Sequence, residues 1–435
     1  MNKVEKLLKT QIKLGYWNGF SMAMYPNQPA YEKIDVDFDK IWKSRNKINL
    51  YYHIPFCKSI CPYCGFFAVA GNDNELKRSY IDKVNEQMKG YIELLDYKTK
   101  IMSICFGGGT PNFAPVELYY SIFETLSLSH LVFDENLEPS MEVSPELLTE
   151  EYLADLKQIG VRRLSLGVQS LDLSIRDSIH RNNLNIYELF DKIRKYDFNI
   201  NIDLINGLYG QTPDKFMDTL KVIAELAPET ISIYPLAGDG SSMLKADGQI
   251  MTNYEKYGLF KEYYEYLLNN GYRCESNIKF VKKNQSSTHQ QKIYEYQGID
   301  TLGIGCAARS YNYYTHYGME HRFKQKNRAQ LLEQYMNNDF RNLDYYGVQM
   351  NDTERKSRFA IYGVFMGIID LEKYRIQFKS ELIKDFTEVV EALINLNLAY
   401  IDEDKIYITK EGTVYTDIIC QQFISENVKR KMKLI

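Results

Sequence analysis

The feature that most constrains the fold is a regular alternation of short β-rich runs with longer amphipathic stretches. Six runs rich in β-branched and aromatic residues lie between Asn49 and Leu236. Because parallel strands need a connection of about a dozen residues or more, the alternation predicts a parallel sheet in an α/β fold. A full β/α barrel has eight such units, so six predict a partial (β/α)6 barrel. The predicted strands are Asn49–Pro55, Ile101–Phe106, Ser140–Val143, Arg163–Val168, Asn199–Leu208 and Thr230–Leu236.

Helices are predicted between and after these strands. Apolar residues at three- and four-residue spacing mark Glu75–Leu95 and Glu146–Ile159, and Pro213–Leu226 starts with a proline that suits a helix N-terminus. The pattern changes after Pro235. The remaining predictions there are a tyrosine-rich helix over Tyr254–Asn269, a strand over Tyr272–Phe280 and a polar loop over Val281–Gln291.

The last part of the chain, from about Asp352, has its own pattern. Two predicted helices precede a strand pair around a Glu-Asp turn and a closing helix, an order that resembles a winged-helix unit. The segment is not markedly basic, so DNA binding is not predicted. The elements are the helices Arg355–Ile369 and Ile383–Leu393, the strands Leu398–Asp402 and Lys405–Thr409, and a helix from Thr409.

The length of 435 residues allows two or three domains. The predicted division is an N-terminal arm over 1–46, the barrel core with its extension over 47–315, and a mainly helical, winged-helix-like C-terminal domain over 316–435. Composition fits this globular layout, because 45% of the residues are hydrophobic and 25% are charged. A disordered, collagen-like or coiled-coil chain is therefore excluded.

Charge and hydropathy limit the partners. The net charge of −4 gives no overall basic field for nucleic acid. The longest apolar run, Ala360–Leu371, is shorter than the roughly 18 residues that a membrane span needs, and the N-terminus lacks the pattern of a secretory signal. We expect a soluble, cytoplasmic protein with no nucleic-acid partner and no membrane span.

Three of the seven cysteines form a motif, Cys57-x3-Cys61-x2-Cys64, directly after the first predicted strand. About 0.002 such triples would arise by chance at this cysteine content. An odd cysteine count in a long chain without a secretory signal argues against a disulfide framework. The triple therefore predicts a metal or cluster site.

The triple leaves two kinds of site open. A structural zinc needs a closed set of four ligands, whereas three thiolates on a [4Fe–4S] cluster leave one iron open for a ligand. No Cys or His follows closely, since Gly65, Phe66 and Phe67 come next. His53, four residues upstream, could complete a zinc set, but its place in a strand favours a packed, hydrogen-bonded histidine.

Two glycine-rich runs could let the backbone approach a ligand closely. Gly107-Gly-Gly-Thr-Pro111 ends the second predicted strand; it lacks the Gly-Lys-Ser/Thr of a Walker loop, and its simplest interpretation is a tight turn. Gly303-Ile-Gly305-Cys-Ala-Ala308 fits Gly-x-Gly-x-x-Ala. The polar Tyr294–Asp300 stands where a dinucleotide fold needs an apolar strand, so that fold is not predicted.

The motifs together resemble the oxygen-independent coproporphyrinogen III oxidase family of the radical S-adenosylmethionine (SAM) superfamily. This family includes haem chaperones, anaerobic haem-degrading enzymes and class C radical methyltransferases. The resemblance covers roughly residues 45–315. It is carried by the runs Tyr51–Cys57, Phe106–Pro111, Met141–Val143, Gly160–Ser170, His180–Arg181, Ile202–Leu208 and Thr301–Gly305, in the order and at the spacings of that family.

The resemblance implies that Cys57, Cys61 and Cys64 bind a [4Fe–4S] cluster. The amino and carboxylate groups of SAM would chelate its open iron, and one-electron reduction would cleave SAM to a 5′-deoxyadenosyl radical. Tyr63 would lie against the adenine, and the glycine-rich run would receive the amino group. Also by resemblance, the first SAM is bound by Glu142, Gln169, Arg181 and Asp203, and one or both of two SAM molecules are contacted by Tyr51, Gly108, Gly109, Thr110 and Ala237. We expect each of the first four at or just beyond a strand end, where β/α barrels place their sites.

Departures from the family bear on the substrate. Arg309 occupies a cofactor-contacting position that is apolar in the oxidases, Phe66 replaces an oxidase cysteine, and the haem-binding signature of the chaperones is blurred into His289–Tyr294. We take Tyr51 and Arg309 as candidate catalytic residues. The segment Ile278–Arg328 has nine basic against three acidic residues, which favours an anionic substrate, although a solvated loop would show the same pattern.

The function implied by the resemblance is a radical SAM oxidoreductase acting on a tetrapyrrole or another anionic molecule. One alternative is a class C methyltransferase or cyclopropanase-type enzyme that uses two SAM molecules. Another is a haem-binding chaperone. In each case a flavodoxin- or ferredoxin-like protein would reduce the cluster.

Overall fold

The computed structural model describes residues 1–14, 24–236, 250–285, 290–319 and 328–434. It divides into two compact units. The cysteine unit comprises Glu32–Asp203 and Ser286–Gln349, and the terminal unit comprises Met1–Tyr31, Leu204–Gln285 and Met350–Ile435.

The cysteine unit contains the sheet that carries the motifs. Its strands are β1 (Glu32–Ile34), β2 (Lys47–Ile54), β3 (Phe56–Cys57), β4 (Val69–Ala70), β5 (Lys100–Gly108), β6 (Val132–Phe133), β7 (Ser140–Val143), β8 (Arg163–Gln169), the start of β9 (Asn199–Asn206), β13 (Asp300–Ile304), β14 (Arg309–Tyr311), β15 (Thr315–Met319) and β16 (Tyr345–Gln349). Its helices are α2 (Phe38–Trp42), α3 (Asn74–Leu94), α4 (Glu117–Ser127), α5 (Glu150–Gln158), α6 (Leu173–Ser178), α7 (Ile186–Arg194), α10 (Gln290–Tyr296) and α11 (Arg328–Asn337).

The strand order in this unit is β1-β16-β15-β14-β13-β2-β5-β7-β8-β9, with β6 paired to β5. Pairing is parallel from β13 through β2, β5 and β7 to β8. It is antiparallel from β13 through β14, β15 and β16 to β1. Parallel strands are buried on both faces, and β2 matches this, because Ile48–Leu50 and Tyr52–Ile54 are buried without alternation.

The terminal unit contains both chain ends. Its helices are α1 (Lys3–Lys13), α8 (Pro213–Leu226), α9 (Asn253–Asn269), α12 (Asp352–Phe365), α13 (Leu371–Phe378), α14 (Leu382–Asp385), α15 (Thr387–Asn395), α16 (Lys410–Val414), α17 (Thr416–Gln422) and α18 (Glu426–Lys431). Its strands are β10 (Thr230–Pro235), β11 (Tyr272–Ser276), β12 (Lys279–Lys282), β17 (Ile368–Asp370), β18 (Ala399–Asp402) and β19 (Lys405–Ile408). Antiparallel pairing joins β10 to β12 to β11, and β17 to β19 to β18.

The predicted fold class is confirmed. All six predicted strands are present, and the sheet is open, as a partial barrel requires. The division into an arm, a core and a C-terminal domain stays a prediction. Within the ranges given above, no helix is long and apolar enough to cross a membrane.

Several predicted element boundaries were wrong for identifiable reasons. The strand predicted over Tyr272–Phe280 is a hairpin, because Asn277 and Ile278 form a turn, and β12 then extends into the predicted polar loop. The helix predicted from Glu146 starts at Glu150, where the Thr149 hydroxyl accepts the amide of Tyr152.

In the C-terminal part, α12 ends at Phe365, because Gly367 adopts a φ of +74° before strand β17. The predicted helix Ile383–Leu393 is two helices, α14 and α15. The strand β13 was not predicted, since polar Asp300 and Thr301 hide a run that is buried throughout.

Candidate functional site

The cysteine loop, residues Cys57–Cys64, begins at the carboxyl end of β2. Pro55 follows that strand. The pairing of β3 with β4 then holds together the two ends of the segment that contains the cysteine loop. Within the loop the Cys64 amide donates to the Cys61 carbonyl at 3.0 Å. All three thiols are free; Cys57 is buried, while Cys61 and Cys64 are partly exposed.

The donor set of the cysteine loop fits an iron–sulfur cluster. Burial raises the pKa of Cys57 to about 11, and the neighbouring Cys64 and Cys61 thiols raise it further, so the three sulfurs lie close enough to interact. Among the described residues, no three His, Cys, Asp or Glu side chains converge on a single metal-ion position. A four-iron cluster needs no such convergence, because each thiolate binds a different iron.

The glycine loop, Gly107–Thr110, lies directly against the cysteine loop. The Thr110 hydroxyl is 3.3 Å from Cys57 Sγ, and the Thr110 amide donates to the Phe56 carbonyl at 2.8 Å. Gly108 has a φ of +116°, and a Cβ there would lie 2.7 Å from the His53 ring. A Cβ at Gly109 would lie 2.8 Å from the Pro55 backbone, so this approach requires glycine.

Glu142 connects the glycine loop to the interior of the sheet. Its carboxylate accepts the Gly108 amide at 3.1 Å, and a Cβ at Gly107 would meet both this carboxylate and the Tyr51 ring at about 3 Å. Desolvation by the surrounding protein raises the pKa of Glu142 to about 7, and the negative charge of Asp203 adds to the shift. The side chain is nevertheless reached by water. A carboxylate that is surrounded by protein and still exposed lines a concave site.

Asp203 is held rigidly on β9. Ser165 donates to one carboxylate oxygen at 2.9 Å, and Asn201 donates to the other at 2.7 Å. Asn201 also donates to the Ser165 hydroxyl at 2.7 Å, which closes the triangle. With Glu142, Asp203 forms what we call the carboxylate pair.

Arg181 lies beside the cysteine loop with one donor unused. One terminal nitrogen donates to Ser144 at 2.9 Å and to Glu146 at 3.1 Å, and Tyr63 lies near the guanidinium. Arg176 shares Glu146 at 2.5 Å. Arg181 Nε is buried without a hydrogen-bond partner among the described residues. A buried charged donor without a partner suits an incoming anion.

Gln169 reaches the same region from the end of β8. Its φ is +68°, an uncommon and strained conformation for a residue other than glycine. Its amide nitrogen would lie 3.0 Å from a Cβ placed on Gly167, and an Arg181 nitrogen would lie 3.9 Å from the same point. Gly167 therefore leaves room for the two side chains to meet.

The sequence-predicted residues fall into recognisable groups. Tyr51, Gly108, Gly109, Thr110, Glu142 and Asp203 lie around the glycine loop, and Tyr63, Gln169 and Arg181 lie around the cysteine loop. Expected positions at strand ends were wrong for two of them, because Asp203 lies inside β9 and Arg181 follows α6. Ala237 and His289 lie outside the described residues.

Arg309 starts β14 and is partly exposed. Its charge lowers the pKa of both Tyr51 and His53, so the guanidinium lies near them, although burial is the largest influence on each. Glu295, an acidic residue of the same segment, is 4% exposed and pairs with Lys292 at 3.1 Å. A pairing with Glu295 would therefore not be a surface pairing.

His53 is buried and hydrogen-bonded, as its strand position predicted. Its Nε2 is 2.9 Å from the Phe67 carbonyl, and its Nδ1 is 3.2 Å from the Tyr51 hydroxyl. Burial lowers the pKa of His53 to about 4, so the ring is neutral. Its Nε2–H then donates to the carbonyl, which leaves Nδ1 to accept the hydroxyl proton.

Lys292 is the most informative residue that the sequence did not reveal. It lies on α10, of which only Gln290 and Gln291 fall in the predicted polar loop, and its charge lowers the pKa of Glu142 and of Cys105. Ser165, Asn201, Ser144 and Glu146 were also missed. Each holds a site residue through a contact between distant parts of the chain, and no local motif marks such contacts.

Comparison with known proteins places these residues in a family. Residues 51–223 match the Radical SAM superfamily. The oxygen-independent coproporphyrinogen III oxidase of Synechocystis is 30% identical over 196 residues, which are 44% of this chain and 42% of that protein. The heme chaperone HemW of Lactococcus lactis is 26% identical over 406 residues, which are 87% of this chain and 97% of the chaperone.

A solved structure shows the same fold. The structure is that of coproporphyrinogen III oxidase (HemN) from Escherichia coli, a radical SAM enzyme. It matches with a TM-score of 0.78 and 22% identity, and the match covers 95% of this chain and 98% of that one. The match to the Synechocystis oxidase spans less than half of that relative. A [4Fe–4S] cluster and SAM are the cofactors that the superfamily implies. The resemblance suggested by the motifs is confirmed: residues 51–223 match the radical SAM superfamily, and most of the chain is similar to members of the coproporphyrinogen III oxidase-like family.

Proposed function

We propose that the chain is a [4Fe–4S]-dependent radical SAM oxidoreductase that acts on a tetrapyrrole or another anionic substrate. The observation that carries the proposal is the chain of contacts that joins the carboxylate pair to the glycine loop and the glycine loop to the cysteine loop, with the buried Nε of Arg181 nearby. This set can bind the carboxylate and the ammonium of SAM beside three thiolates. The names of the relatives then favour a tetrapyrrole.

The proposed cofactor roles follow from the contacts. Cys57, Cys61 and Cys64 would hold the cluster, which would supply the electron that cleaves SAM to a 5′-deoxyadenosyl radical. Arg181 Nε would bind the SAM carboxylate. The carboxylate pair would accept the SAM ammonium and a ribose hydroxyl, and Gln169, Gly109 and Thr110 would complete the first binding position.

Tyr51 and Arg309 are the proposed residues on the substrate side. Tyr51 has its hydroxyl directed to neutral His53, and Arg309 lies near enough to alter the pKa of both. An arginine at this position would bind a carboxylate of the substrate or of a second SAM. Lys292 adds a positive charge near Glu142, although its pairing with Glu295 offsets part of that charge.

The haem-chaperone alternative is supported by one comparison. The match to the Lactococcus chaperone spans 97% of that protein, although the match to the Escherichia coli oxygen-independent coproporphyrinogen III oxidase also spans 85% of its own length. A two-SAM methyltransferase would use the same cluster and the same pockets. In each case we propose a cytoplasmic protein that receives electrons from a flavodoxin- or ferredoxin-like partner.

One experiment separates these functions. The anaerobically reconstituted protein is reduced and given methyl-labelled SAM with coproporphyrinogen III. Loss of the substrate with formation of 5′-deoxyadenosine supports the oxidase, and label in a product supports the methyltransferase. Haem titration without SAM turnover supports the chaperone. If zinc replaces iron with unchanged activity, the radical proposal is wrong.

A further inference from the structure

A second arginine, Arg328, lies next to the segment that follows the cysteine loop. It is the first residue of α11, and its Nη1 donates to the Ala68 carbonyl at 3.3 Å. Ala68 is fully buried and lies between Cys64 and strand β4. The pairing of Cys57 with Ala70 holds this segment against the start of the cysteine loop. The contact with Ala68 therefore fixes the guanidinium beside the loop.

The contact with Ala68 leaves one donor of Arg328 unused. Its Nε is buried and has no hydrogen-bond partner among the described residues. Within the same ranges of the chain, Arg328 forms no ion pair with a carboxylate. Buried polar atoms are nearly always paired, so this N–H requires an acceptor, and an acceptor with negative charge suits a guanidinium best.

The charge of Arg328 acts on the third cysteine of the loop. Burial is the largest influence on the Cys64 thiol and raises its pKa, whereas the positive charges of Arg328 and Arg181 lower it. Two arginines from different parts of the chain thus favour the thiolate form of Cys64, which is the form that binds iron. Arg181 already donates to Ser144 and Glu146, whereas Arg328 has only the contact with Ala68.

We propose that Arg328 tunes the reduction potential of the cluster by donating its Nε–H to a cluster sulfur on the Cys64 side, a role that rests on the proposed function. Hydrogen bonds to the sulfurs and nearby charges are among the factors that set the potential of such clusters. The step is a one-electron reduction, in which an external reductant is oxidised and the cluster becomes more negative. No bond forms or breaks and no proton moves, because arginine stays protonated.

The sign of the effect follows from the charges. A cationic donor stabilises the reduced, more negative cluster more than the oxidised one. Arg328 therefore makes the cluster easier to reduce, and loss of Arg328 should make it harder to reduce.

The test measures the cluster itself, without SAM or substrate. The reconstituted full-length protein and its Arg328→Met variant are titrated anaerobically with a reduced viologen, and EPR spectroscopy quantifies the reduced cluster at each solution potential. Loss of a charged hydrogen bond should lower the ratio of reduced to oxidised cluster at a fixed potential by about 10- to 150-fold. A tenfold change corresponds to about 59 mV for one electron. An unchanged or higher ratio overturns the proposal.

Two further variants sharpen the assignment. Arg328→Lys keeps the charge but loses the Nε–H, so its ratio should lie between those of the wild type and Arg328→Met. Arg341→Met is the matched control, because that exposed arginine of the same unit pairs with Glu93 and Asp339, and it should keep the wild-type ratio. If Arg328→Met does not fold or loses its iron, Arg328→Lys takes its place. A wild-type ratio in Arg328→Lys would then overturn the proposal.

Iron analysis distinguishes this proposal from the proposed function. A wild-type protein that binds no iron after reconstitution would refute the proposed function itself. About four iron in both the wild type and Arg328→Met, with the same potential, would refute only the role of Arg328. Weaker SAM binding with an unchanged potential would assign Arg328 to anion binding instead, and would overturn the proposal as well.

Discussion

The cysteine loop and the carboxylate pair belong to the same candidate site but are assembled in different ways. The cysteine loop is a single stretch of eight residues whose donors are all thiols. The carboxylate pair joins residues 61 positions apart on two strands, and their shared environment alters their ionisation. Cluster binding and SAM binding should therefore be separable by mutation, although the glycine loop contacts both sets.

The strongest prediction concerns the cysteine loop alone. Replacement of Cys57, Cys61 or Cys64 by Ala should abolish the brown chromophore and the iron, because two thiolates cannot retain a cluster that needs three. Iron and sulfide analysis after anaerobic reconstitution should give about four of each in the wild type. Cys274→Ala is the matched control, since that thiol lies in β11 of the terminal unit. A variant of Cys61 with full iron content would contradict the assignment.

The second prediction concerns the carboxylate pair alone. Glu142→Ala and Asp203→Ala should keep the cluster but weaken SAM binding by about 10- to 150-fold, as expected for lost hydrogen bonds to a charged group of ~1.5–3 kcal/mol. Equilibrium dialysis with the reconstituted protein measures the affinity, and the visible spectrum reports the cluster. Asp197→Ala, at a fully exposed carboxylate, is the control. If both variants bound SAM like the wild type, the carboxylate pair would not be the SAM-binding set.

The third prediction uses the ionisation of Glu142. Its pKa is raised to about 7, and only its carboxylate form can accept the SAM ammonium. Below that pKa the proportion of carboxylate falls about tenfold per pH unit, so SAM affinity should fall with it between about pH 6.5 and 5.5. Glu142→Gln should bind more weakly at neutral pH and should show a flatter profile. An unchanged slope in that variant would assign the pH dependence to another group.

The same contrast explains what the sequence could reveal. The cysteine triple and the glycine run are each contained in a few consecutive residues, so their residue types and spacing predict their chemistry. Strand β2 was equally easy to predict, because apolar and aromatic residues dominate Ile48–Ile54 and Pro55 ends the run. Lys292, Ser165 and Asn201 were not, since their roles depend on contacts with residues far away in the chain. β13 was missed because its polar start, Asp300 and Thr301, is buried only through tertiary packing.

The smallest expected effect concerns Arg309, the residue that we propose contacts the substrate. Its guanidinium is near Tyr51 and His53, and its planar set of donors suits a carboxylate of the substrate or of a second SAM. Arg309→Ala should therefore leave 5′-deoxyadenosine formation without substrate within about twofold, while substrate turnover falls about tenfold.

The control is Arg309→Lys, which keeps the charge but loses the planar pair of donors, and it should recover part of the turnover. Product and 5′-deoxyadenosine are quantified in the same reaction, so that their ratio reports coupling. An exposed ion pair is worth only ~0–1 kcal/mol. A change in turnover below about twofold would mean that Arg309 acts as such a pair, and that the anion-binding part of the site has to be sought at Lys292 instead.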